Sequence, residues 1–92
     1  MSYELEFTKA ALRKFNKLDH VIRNQFADQL EKVLKNPKIA KNKLRAVDAY
    51  KIKLRAVGYR LIYTVDGQKL VVRVVEVERR DQVYKGIQRL LS

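Results

Sequence analysis

The segment YKIKLRAVGYRLIYTVDGQKLVVRVVEV, Tyr50 to Val77, constrains the fold more than any other part of the chain. Read as extended backbone, it places Tyr50, Ile52 and Leu54 on one side and Lys51, Lys53 and Arg55 on the other, because strand side chains alternate with period two. Gly58 interrupts that alternation. Asp66-Gly67, between YRLIYTV and KLVVRVVEV, is a strong signal for a two-residue hairpin turn. The pattern predicts three consecutive antiparallel strands over Tyr50–Arg55, Tyr59–Val65 and Leu70–Val77. The last is apolar at nearly every position, as an inner strand requires.

The N-terminal half reads differently. Tyr3, Leu5 and Phe7 alternate with Glu4 and Glu6, which predicts a first strand with one wet face. Thr8 is placed to cap a helix carrying Ala11, Phe15 and Leu18, with Phe7 and Leu12 spaced for a hydrophobic staple. Asp19 is a second N-cap candidate, ahead of a stripe of Ile22, Phe26, Leu30, Val33 and Leu34 that Pro37 must end. The two helices are expected to pack through Leu12, Phe15, Ile22, Phe26 and Leu30. The stretch KIAKNKL, Lys38 to Leu44, is a basic loop, and Asp81 is placed to cap a short terminal helix with Val83, Ile87 and Leu90. The expected order is β-α-α-β-β-β-α. It describes an α+β fold whose mainly antiparallel four-stranded sheet carries the helical hairpin on one face and the cations on the other. Ninety-two residues suffice for one modest core, so residues 1–92 are read as a single domain.

Composition narrows the function classes. The chain has no cysteine and one histidine, which removes disulfides, thiolate metal sites and imidazole-based zinc from the reading. No run approaches the roughly 18 apolar residues of a membrane span. MSYELEFTK lacks a basic region followed by an apolar stretch, so no secretory signal is read and the cytoplasm is the expected compartment. Lys and Arg outnumber Asp and Glu by 21 to 10, a formal charge of +11. Such a field draws in polyanions. Like charges at neighbouring positions on one sheet face repel, and lysine is a poor strand former, so the Lys51, Lys53, Arg55 alternation serves something other than stability. An anionic partner at that face is the expectation.

With these residues in view a family likeness emerges. The element order, together with KNKLRAVDAYKIKLRAVGYRLIYTV and the tail VERRDQVY, resembles the RelE family of toxin-antitoxin messenger RNA interferases, within the RelE/ParE superfamily. The similarity covers essentially the whole chain and is densest from Asn42 to Val65. The resemblance implies a toxin that enters the ribosomal A site, meets ribosomal RNA and cleaves messenger RNA, and that a cognate acidic RelB-like antitoxin restrains. It further implies attack of the ribose 2′-OH on the adjacent phosphate to give a 2′,3′-cyclic phosphate, with no metal or small-molecule cofactor. The family's basic cluster falls on Lys51, Lys53, Arg60 and Arg80, and its terminal aromatic on Tyr84. Two departures stand out: the segment from Arg80 to Tyr84 is shorter than in the best-known members, and Ala46 follows KLR where they have glycine.

These residue types suit the chemistry. Crowding by Lys53, Arg55 and Arg60 is expected to lower the Lys51 pKa, leaving Lys51 or Lys53 as candidate base. Arg60 and Arg80 stay charged and present forks that match phosphorane oxygens. Tyr84 is placed to stack on a base. Arg45 and Arg55 are assigned to the RNA backbone or the antitoxin, and Lys41 to a surface remote from the site. Other readings stand beside these. Arg60 has Glu76 or Glu78 as candidate ion-pair partners, Tyr84 shares helical spacing with Ile87 and Leu91 as a core residue would, and His20 reads as an exposed helix start. At the level of function, a ParE-like gyrase-poisoning toxin and a non-catalytic basic ribosome- or nucleic-acid-binding module compete with the nuclease.

Overall fold

The computed structural model describes residues 2–79. The elements are β1 (Glu4–Phe7), α1 (Lys9–Asn16), α2 (His20–Val33), a short 3-10 turn (Ala40–Asn42), β2 (Tyr50–Leu54), β3 (Tyr59–Asp66) and β4 (Val71–Arg79). The expected terminal helix from Asp81 lies outside the described residues. Among the described residues no helix is long and apolar enough to cross a membrane.

The four strands form one sheet in the order β1-β4-β3-β2. β2–β3 and β3–β4 are antiparallel as expected, but β1 runs parallel to β4, so the sheet is mixed. A parallel neighbour needs a long connection, and β1 has one: the whole helical hairpin and β2–β3 intervene before β4 returns beside it. That position makes β4 an inner strand, which accounts for its apolar run. Val72, Val74 and Val77 are buried to 4% exposure or less.

Both helices cover the same sheet face. Ala11 from α1 and Phe26, Leu30 and Val33 from α2 meet Tyr50, Ile52, Leu61, Tyr63, Val72, Val74 and Val77 in one core. Thr8 is the α1 N-cap, its Oγ1 accepting from the Ala11 N–H at 3.2 Å. Its flanking staple does not form, however: Leu12 is 43% exposed. Phe7 packs instead against Phe15, centroids 5.1 Å apart, and Phe15 against Phe26 at 6.5 Å, so three rings link β1, α1 and α2. Leu12 lies three residues before Phe15, and the buried stripe of this short helix runs through Ala11, Phe15 and Leu18. Asp19 stands at the α2 N-cap without a side-chain capping bond; its carboxylate lies 3.2 Å from His20 Nδ1. His20 is exposed, as read from its helix-start position.

The β3–β4 connection departs from the two-residue hairpin. Asp66 pairs with Val71, leaving a four-residue loop from Gly67 to Leu70. The Asp66 carboxylate accepts from the Gln68 and Lys69 N–H groups, each at 3.0 Å, and these bonds, Lys69 first, hold its pKa below the usual value. The left-handed residue is Leu70 (φ 56) rather than the glycine. The side chain of Asp66 therefore organises the loop, as an Asx turn does.

Candidate active site

β2 is an edge strand, and its outward rows build the site. Lys53 lies directly opposite Arg60 on β3, and Arg60 directly opposite Glu78 on β4; Lys51 lies opposite Ile62. Directly paired residues share a sheet face, so Lys51, Lys53, Arg60 and Glu78 stand away from the core face of Tyr50, Ile52 and Leu61. Facing Lys53 and Arg60 across two strands costs stability, and β4 offsets part of that cost with Glu78. Arg60 donates from a terminal nitrogen to Glu78 Oε2 at 3.1 Å, with both side chains about one third exposed. The ion-pair reading of Arg60 is therefore realised, with Glu78 as partner. Glu76 is taken by Lys14 of α1.

Lys53 carries the lowered pKa. The charge of Lys51 is the largest cause, followed by a hydrogen bond with Lys51, desolvation, and the charges of Arg55 and Arg60. The sequence placed this effect on Lys51. The cause it named, crowding by neighbouring cations, acts on Lys53, the middle member of the Lys51, Lys53, Arg55 run and the one paired with Arg60.

Beside this row a groove of about 530 Å³ runs along the β2 edge. Lys51 and Lys53 border it from β2, Arg55 from the turn just after β2, Gln29 and Lys32 from α2, and Lys41 and Asn42 from the 3-10 turn ahead of β2. Val33, Ile39 and Ile52 supply its apolar part. Lys41, read from sequence as remote, thus shares a groove with Lys51 and Lys53, and Lys32 was not singled out at all. One signal was available for Lys32: it precedes Val33, whose burial against the sheet brings that end of α2 to the β2 edge. Arg45 is exposed in the loop before β2 and does not line the groove. Arg80 and Tyr84 lie outside the described residues. Among the described residues no three His, Cys, Asp or Glu side chains group so as to hold a metal ion.

A mixed sheet with a two-helix layer on one face and clustered cations along one edge defines a class of small α+β proteins fitted to polyanions. Comparison with known proteins narrows it. The family model of the ParE toxin of type II toxin-antitoxin systems matches residues 5–84. The mRNA interferase toxin RelE of Escherichia coli K12 is 44% identical over 95 residues, covering 99% of this chain and 100% of that protein. The crystal structure of the isolated E. coli RelE toxin superimposes with a TM-score of 0.81 at 42% identity, covering 97% of this chain and 99% of that one. The intact E. coli RelBE toxin-antitoxin complex matches with a TM-score of 0.83 at 46% identity, over 85% of this chain and 96% of that one. The chain belongs to the RelE/ParE family of type II toxin-antitoxin toxins.

Proposed function

We propose that this protein is the toxin of a type II toxin-antitoxin pair and an endoribonuclease that cuts messenger RNA in the ribosomal A site. One observation carries the reading: identity of 44% to an mRNA interferase RelE, sustained over the full length of both chains. Residues 1–92 are read as one toxin domain, and an acidic RelB-like antitoxin is its natural restraint, as RelB accompanies RelE in the E. coli complex.

The basic row supports a division of labour. Lys53, its pKa pushed down chiefly by Lys51, takes the proton of the 2′-OH. The 2′ oxygen attacks phosphorus, the bond from phosphorus to the 5′ oxygen breaks, and that oxygen takes a proton from solvent water as it leaves. The products are a 2′,3′-cyclic phosphate and a 5′-hydroxyl. Lys51, Arg60 and Arg80 stabilise charge on the phosphorane oxygens, with Arg60 held in place by Glu78 until a phosphate engages its remaining N–H groups. Tyr84 stacks on a base, and Arg45 and Arg55 hold backbone.

A second reading follows from the family model, whose description is that of a ParE toxin. Translating ribosomes and a gyrase supercoiling reaction, each incubated with the purified protein, separate the two. The nuclease reading predicts new message ends within A-site codons and undisturbed supercoiling; intact messages with blocked supercoiling would reverse the assignment.

A further inference from the structure

We propose that the groove along the β2 edge binds the message beside the scissile phosphate, with Lys32 and Lys41 holding backbone phosphates and the half-buried Ile39 offering its side chain to a base. This rests on the nuclease reading and extends it to residues that the catalytic row does not contain. Three observations carry it. Among the described residues every charged side chain bordering the groove is a cation, contributed by α2, the 3-10 turn, β2 and the turn after it. None of Lys32, Lys41, Lys51, Lys53 and Arg55 has an ion-pair partner within 4.0 Å among the described residues, unlike Lys14, Lys43, Arg60 and Arg73. And Lys51 and Lys53 belong both to the groove and to the row at Arg60, so a strand whose phosphate sits by Arg60 continues into it without a break.

The chemistry fits single-stranded RNA. Phosphates need point charges spaced along a path, and Ile39 can take the face of a base. Gln29 and Asn42 border the same space with carboxamides, which both donate and accept and so match base edges. The volume falls within the roughly 300–1,000 Å³ of small-ligand sites, suited to a short run of nucleotides. An added protein strand is the rival occupant of an edge. Here the isolated bridge between Lys43 and Tyr50 already closes one end of it, and the loop from Ile39 to Asn42 runs alongside.

The test uses ribosomes programmed with a message made uncleavable by a 2′-deoxy sugar at the scissile position, with neutral methylphosphonate linkages on either side in a second set. Affinities of the wild-type protein and of Lys32→Ala/Lys41→Ala are compared across salt. Both side chains are exposed, so the variant is expected to melt as the wild type does. The proposal predicts binding about tenfold weaker, a salt slope shallower by about 0.7 per lost phosphate contact, and no further loss when the neighbouring linkages are neutral. Affinity for message-free ribosomes should be unchanged. Equal weakening on message-free ribosomes would assign the groove to ribosomal RNA, lost affinity for the acidic antitoxin alone would assign it to protein, and no change anywhere would empty it; each overturns the proposal. Because affinity is read on an uncleavable message, a wild-type protein that binds but never cuts would sink the nuclease reading and not this one.

Discussion

Tyr63 ties the helical layer to the sheet. Its ring is fully buried and stacks on Tyr50, centroids 5.4 Å apart, while its hydroxyl donates to the Pro37 carbonyl at 2.8 Å just beyond α2. Tyr63→Phe keeps the ring but orphans a carbonyl, so denaturant unfolding should show a loss of about 1–3 kcal/mol. Burial, with Tyr50 adding to it, pushes the Tyr63 pKa from 10.0 up to about 12. A raised folded pKa means stability present below pH 10 and lost as pH climbs towards 12; the gap between wild type and Tyr63→Phe should close over that window. Lys53 is the corresponding case at the site. Lys51 is the main cause of its lowered pKa, so Lys51→Met should raise it and shift the acidic limb of the single-turnover rate to higher pH. A limb that stays in place would remove Lys53 from the role of base. Glu78→Gln strips a carboxylate from Arg60 and should tighten message binding severalfold, measured on uncleavable substrate.

At the scale of elements, register decides what was readable. The alternation at Tyr50–Leu54, the Thr8 cap and the Phe26–Leu30–Val33 stripe were legible because each rests on local spacing. Which of Glu76 and Glu78 would pair with Arg60 was not. Counting back from Asp66 and Val71 without a bulge would seat Val77 opposite Arg60 and Glu76 opposite the buried Leu61. The bulge at Ile62/Tyr63 shifts β4 by one residue, returning Val77 to Leu61 in the core and Glu78 to Arg60 outside. Nothing local announces that shift. The parallel β1–β4 pairing and the approach of Lys32 and Lys41 to Lys53 are likewise long-range facts. Glycines make an element-scale test. Gly58 has φ +70 with nothing within 4 Å of an added Cβ, so Gly58→Ala should cost about 1–2 kcal/mol through backbone conformation alone. Gly67 lacks a positive φ and meets only Lys38 Nζ at 3.4 Å, so Gly67→Ala should unfold at nearly the wild-type denaturant concentration. Equal losses at both positions would contradict this account of the turns.

For the whole molecule, charge and core divide the labour. The helices spend their apolar stripes on one sheet face, leaving the β2 side of the sheet free to gather cations that stability alone would not assemble. A net charge of +11 then draws the protein to RNA, and an acidic partner would neutralise the same surface. Affinity for programmed ribosomes should accordingly fall steeply with salt, whereas the rate of the chemical step at saturation should not. The central claim is that Lys53 and Arg60, facing each other across β2 and β3, act on one phosphate. Single-turnover cleavage of A-site message at saturating toxin tests it. Arg60→Ala and Lys53→Ala should each slow the step by roughly 10²–10³, the loss typical of one preorganised donor, with message affinity reduced far less. Cleavage at the wild-type rate by both variants would make the basic row a docking surface and place the chemistry elsewhere.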